Sequence, residues 1–112
     1  MTDVYINVPA TQVQEGSSFN ATAYFRSAGS ASAPSTAKYR VDCKTTGKIL
    51  TDWTSLTPAV SISIPITATH NAIQGQSNRI EKKQLIVASD PDAATQTRAI
   101  RTWNVSNLQN VS

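Results

Sequence analysis

The sequence predicts an all-β sandwich, and three observations carry that prediction. Apolar and polar side chains alternate at period two, turn signals recur at short spacing, and Ser and Thr fill about a quarter of the 112 positions. Period two is the signature of a strand with one face buried. Thr is β-branched and Ser competes for backbone hydrogen bonds in helices, so the composition itself favours strands and turns. The length fits one domain over 1–112 with short flexible termini, and a chain of this size can build a core without disulfide or metal staples.

The elements follow in order. Val4, Ile6 and Val8 alternate with Tyr5 and Asn7 until Pro9, which has no N–H to give a ladder, so the first strand should lie at an edge. Glu15-Gly16-Ser17 is a turn. Over 18–26, Phe19, Ala21, Ala23 and Phe25 share the inward face of a second strand. The stretch 27–35 (SAGSASAPS), with Gly29 and Pro34, reads as an exposed, mobile loop. Over 38–44 Tyr39, Val41 and Cys43 point inward, which predicts a central strand and makes Cys43 a small core residue. A hairpin turn over 45–48 leads to a short strand over 49–54 that ends near Trp53.

Val60, Ile62, Ile64 and Ile66 give the cleanest alternation, and Pro65 on the outward set puts the end of that strand at an edge. The period breaks over 67–78, a crossover with room for one helical turn around 70–73. A long strand follows over 79–89, then a turn at 89–93. The last strand, over 95–107, carries Ala99, Arg101, Trp103 and Val105 on one side, and 108–112 is a polar tail. About seven antiparallel strands punctuated by turns make a single immunoglobulin-like β-sandwich, with a small jelly roll as the alternative.

Ten basic against seven acidic residues leave a net charge of +3, spread along the chain. Nucleic-acid binding needs a concentrated basic stripe with stacking aromatics, so no nucleic-acid partner is expected. Lys82 and Lys83 point to opposite faces of their strand and read, like the other cations, as solvated outer-face charges. With no signal-peptide pattern and no apolar stretch of spanning length, the chain is expected to be soluble, made in a cytosol and free of membrane contact.

The chemistry-bearing residues are few. His70 stands alone in the crossover and reads as an exposed or capping loop residue. Cys43 should be buried and inert, because a nucleophilic thiol needs exposure and a lowered pKa. Asp90 and Asp92 flank Pro91 as a turn, one His and one Cys are too few for a structural zinc site, and the four glycines stand singly. The residues therefore point to no catalytic group, no metal and no cofactor. Trp53 and Trp103 read as core plugs in preference to a carbohydrate platform.

The segment 38–55 (KYRVDCKTTGKILTDWTS) resembles small immunoglobulin-like structural proteins of tailed bacteriophages, through Tyr39-Arg40-Val41-Asp42, Thr46-Gly47-Lys48 and Asp52-Trp53-Thr54. The alternating 60–66 strand, Asn71-Ala72-Ile73, the strand over 81–87 and the closing Trp103 to Leu108 run are also similar to that group. The resemblance implies a non-enzymatic virion component, foremost a capsid decoration or cement protein. Such a protein binds the assembled major capsid protein on the outer capsid surface, stabilises the head and forms a small homo-oligomer. Synthesis in the host cytoplasm follows from it. The candidate capsid contacts are Val4, Tyr5 and Ile6 on the edge strand, Gly29 and Pro34 in the loop, and Leu108 and Val111 in the tail. The alternative is an adhesive module on the virion surface or tail that holds a host-surface glycan.

Overall fold

The computed structural model describes residues 2–27, 30–34, 36–75, 79–89 and 97–107. Among them run nine strands in two sheets: β1 (Thr2–Asn7), β2 (Gln12–Gln14), β3 (Phe19–Ser27), β4 (Ser30–Ala31), β5 (Ala37–Cys43), β6 (Ile49–Leu56), β7 (Ser61–Ile66), β8 (Ile80–Ser89) and β9 (Thr97–Ser106). In one sheet β3 carries β1 on one side and β7, then the short β4, on the other. The other sheet runs β2-β9-β8-β5-β6. With no helix among the described residues, this is an immunoglobulin-like sandwich; β5 is the central strand expected over 38–44, flanked by β6 and β8, and β8 lies between β5 and β9.

The strand count and the pairing depart from the expectation of seven antiparallel strands. The extra elements are β2, which pairs in parallel with β9, and β4, a two-residue extension of the β3 hairpin. Both were hidden by length, since neither is long enough to show a period. Pro9 explains β2: the β1 ladder ends before it, and the chain crosses to the other sheet, where Asn104 N–H reaches the Thr11 carbonyl at 2.8 Å. Of the 27–35 stretch the described residues Ser30, Ala31 and Ala33 are exposed as read, but the segment is tied to the sheet and is not a free loop there. Ser30 and Ala31 pair with β3, Ser32 N–H bonds the Phe25 carbonyl at 3.0 Å, and Pro34 is buried.

The core lies between the sheets as the period-two faces dictate. Ile6, Ala21, Ala23, Phe25, Ile64 and Ile66 come from one sheet, and Val41, Leu85, Val87, Trp103 and Val105 from the other. Phe19 meets Trp103 edge-on, with ring centroids 5.3 Å apart and an interplanar angle of 83°. Such a pair contributes about 0.5–1.5 kcal/mol beyond the area it buries. Trp103 therefore plugs the core as expected, and Trp53 does not. Trp53 is half-buried on the outer face of the five-stranded sheet, with the guanidinium of Arg40 at 5.7 Å from its ring and that of Arg98 at 5.6 Å. The β6 strand pairs irregularly with β5 around Tyr39 and Val41, and this shift of register turns Trp53 outward beside Arg40. Val60 precedes β7 instead of joining it and is 47% exposed.

The β5–β6 turn forms as read. Gly47 N–H bonds the Cys43 carbonyl and Cys43 N–H the Lys48 carbonyl, each at 2.8 Å, with Gly47 at φ +78°. An added Cβ there would meet nothing within 4 Å, so substitution costs only the left-handed backbone. Gly47→Ala is expected to lower unfolding free energy by about 1 kcal/mol in urea titration, with an unchanged slope.

Candidate functional site

The crossover after β7 is where the polar residues of the interior gather. On β8 the inward face continues the apolar set Leu85 and Val87 with Lys83 and then Glu81, and both charged side chains are fully buried. An isolated charge in that position costs several kcal/mol, so its partners decide whether the fold tolerates it. Lys83 Nζ donates to Glu81 Oε1 at 3.0 Å and to the Ala72 carbonyl at 2.8 Å. Glu81 also accepts the backbone N–H groups of Gln74 at 2.8 Å and Gly75 at 2.7 Å, and the Cys43 thiol at 3.5 Å. The carboxylate thus holds the 72–75 backbone against the sheet, and Lys83 is no solvated outer-face charge. An acid and a base two positions apart on an alternating strand share one face, and that spacing was the available signal.

His70 and Asn71 complete the anchorage. His70 is 7% exposed, not an open loop residue. Its Nδ1 accepts the Thr67 N–H at 3.0 Å, which leaves the proton on Nε2 to meet Thr51 Oγ1 on β6 at 2.6 Å. Asn71 Oδ1 accepts the indole N–H of Trp103 at 2.7 Å, and its Nδ2 donates to the Ser17 carbonyl at 2.7 Å. The Asn71 carbonyl takes the Gly16 N–H at 3.0 Å. Two adjacent side chains therefore join the crossover to β6, to β9 and to the turn after β2. The helical turn expected over 70–73 is reduced to a bonded turn in which Asn71 N–H reaches the Thr67 carbonyl at 3.2 Å.

The exposed counterpart lies on β1. Tyr5 and Tyr24 are cross-strand neighbours, 53% and 38% exposed, with ring centroids 6.0 Å apart. Arg101 starts from the inward face of β9 but leaves the sandwich at the open seam between the sheets. Its Nε donates to the Ile6 carbonyl at 3.0 Å and its guanidinium stands 5.7 Å from the Tyr5 ring. Beside it a groove of about 470 Å³ is lined by Tyr5, Val8, Thr11, Ile100, Arg101 and Thr102, with Ile100 55% exposed.

Of the seven candidate contact residues, the structure leaves Tyr5 open to a partner. Val4 is half-buried against the core. Ile6, 1% exposed, belongs to the core itself, because it takes the inward alternate position of β1, and Pro34 is buried where the chain returns toward β5. Neither can present its side chain to a lattice. Gly29, Leu108 and Val111 lie outside the described residues. Among the described residues no group of three or more His, Cys, Asp or Glu side chains could hold a metal ion.

Glu81→Gln leaves the Lys83 ammonium buried without its counter-charge and is expected to cost about 3–5 kcal/mol in chemical denaturation. The double variant Glu81→Gln with Lys83→Met removes that orphaned charge and should recover part of the loss, a coupling the four-member cycle measures directly. Burial, and secondarily the positive charge of Lys83, holds the His70 imidazole below its ordinary value of 6.5. The unfolded chain accordingly takes up the proton first. The His70 contribution is complete above pH 6.5 and declines as pH falls below it, until the folded imidazole is protonated too. Unfolding midpoints measured across this range should fall less steeply for His70→Gln than for the parent chain.

Comparison with known proteins finds no matching family model, no matching curated protein and no matching solved structure.

Proposed function

We propose that the chain is a non-enzymatic structural protein of a tailed-bacteriophage virion. In this reading it is a capsid decoration or cement protein that binds the assembled major capsid protein on the outer surface of the head and stabilises the shell, as a small homo-oligomer. One observation carries the non-enzymatic part. The side chains best suited to chemistry, His70, Cys43, Glu81 and Lys83, are buried and engaged with one another or with the backbone that they hold in place. What the surface offers instead is an aromatic pair and a guanidinium gathered at the edge strand β1, with Tyr5 on that strand, Tyr24 on its neighbour β3 and Arg101 reaching it from β9, residue types that anchor protein interfaces. A shell repeats its binding sites many times, and a protein that binds only the assembled form stabilises it by mass action.

A second reading, an adhesive module for a host-surface glycan, draws on Trp53, whose ring is half-buried on an outer face between two arginines. The two readings separate experimentally. For a decoration protein, purified chain should bind expanded, undecorated heads and raise the temperature at which they burst, and Tyr5→Ser should fold normally yet bind about tenfold more weakly. Failure of the parent chain to bind, with undecorated heads as heat-resistant as complete ones, would sink the decoration role. Trp emission that responds to host glycan, and no longer responds in Trp53→Leu, would favour the adhesive one.

A further inference from the structure

Cys43 and Lys83 stand opposite each other on β5 and β8, and both side chains point into the sandwich with no solvent exposure. Both also meet one oxygen atom: Glu81 Oε1 lies 3.5 Å from the Cys43 sulfur and 3.0 Å from the Lys83 nitrogen. A thiol, an amine and a carboxylate converge on a single point in a dry interior. We propose that this cluster is an oxidative modification site, at which dioxygen joins Cys43 to Lys83 through a sulfur–oxygen–nitrogen bridge.

The chemistry balances with dioxygen as the four-electron oxidant. The S–H bond of Cys43 and one N–H bond of the neutral Lys83 amine break, and S–O and O–N bonds form. Sulfur and nitrogen give up two electrons each. One oxygen atom becomes the bridge and the other leaves as water, taking the two hydrogens. Glu81 is the proton acceptor that makes this possible: its carboxylate takes the extra proton of the Lys83 ammonium, which frees the nitrogen lone pair. Dioxygen is small and apolar, so it can reach an interior that larger charged reagents cannot.

The surroundings favour this outcome over the usual fates of an oxidised cysteine. A sulfenic acid ordinarily condenses with a second thiol or proceeds to sulfinic acid. Cys43 is the single cysteine of the chain, so no internal disulfide can form. The amine that shares Glu81 Oε1 with it is that of Lys83, which the Ala72 carbonyl and Glu81 fix in place. Attack of that nitrogen on sulfur alone would expel the oxygen as water and leave an S–N bond, so the S–O–N bridge requires oxidation at nitrogen as well as at sulfur, and the mass separates the two products. The site does not depend on what the protein binds, so its test stands apart from the capsid assay.

The experiment is intact-mass analysis of the full chain after prolonged equilibration with air, against a sample held in reductant, followed by peptide mapping. Air should raise the mass by one oxygen less two hydrogens, and dithiothreitol should reverse the change. The map should show the peptide carrying Cys43 joined to the one carrying Lys83, with tryptic cleavage at Lys83 lost. Cys43→Ser, which keeps the shape of the site, should show no gain. Four results would overturn the proposal: an unchanged mass, gains of whole oxygens confined to the Cys43 peptide, a loss of two hydrogens with the peptides joined, or a disulfide-linked pair of chains. The same gain in Cys43→Ser would overturn it equally.

Discussion

The Glu81 carboxylate is the constraint on which the rest of the sandwich depends. A chain that leaves β7 in one sheet and enters β8 in the other must cross the end of the core, and its backbone donors there are cut off from strand partners. Gln74 and Gly75 give theirs to Glu81. A buried carboxylate needs a counter-charge, and Lys83 two positions along the same face supplies it while also taking the Ala72 carbonyl. The ion pair, the crossover path and the inward register of β8 are therefore one decision. A one-residue slip of β8 would carry Glu81 and Lys83 to solvent and bring Lys82 and Gln84 inward, with no crossover donor satisfied.

A second closure acts at the opposite side. The sheets do not join along β1, yet the seam is not bare. Arg101 enters it from β9 and bonds the Ile6 carbonyl, and the β2 segment pairs with the far end of β9. The switch of the chain from one sheet to the other at Pro9 thus leaves each sheet with part of an edge covered. Tyr5 of the exposed aromatic pair lies on β1, the edge of the smaller sheet, which is paired with β3 on one side and held at Ile6 by Arg101 on the other. On the larger sheet, Arg40 and Arg98 stand over one Trp53 ring from strands on either side of β8. The outward residues of β8 between them, Ile86 and Ala88, are 8% and 0% exposed. An outer face patterned as half-buried is in this region covered by its own side chains.

The long strands were legible because period two is a statement about faces, and each of β3, β5, β7, β8 and β9 has one face committed to the core. Cys43 follows from that rule alone, whereas Trp103 follows from its residue type, which serves equally for Trp53 and fails there. β2 and β4 were not legible, because two or three residues hold too little pattern and their pairing is decided by where Pro9 and the β3 hairpin send the chain. Lys83 and His70 were misplaced for a different reason. Period two put Lys83 on the inner face, but residue type argued for solvent, and only the partners gathered from the crossover reverse that. Trp53 was lost to the irregular β5–β6 pairing, which shifts alternation by a residue without leaving a mark in the composition.

The topology also sets an order of assembly. β5 finds its inner neighbour only in β8, and β8 finds its own second neighbour only in β9, the last strand described. A nascent chain that has emerged as far as β7 can pair β1, β3 and β7 and close the β5–β6 hairpin, but of the second layer it has only the Ala37 and Val41 side of that hairpin against which Phe25 and Ile64 can be buried. The rest of that layer arrives with Leu85, Val87, Trp103 and Val105. Folding is then a late event in synthesis, governed by long loop closures, and the half-made sheet of β1, β3 and β7 is the species that chaperones or premature self-association would encounter.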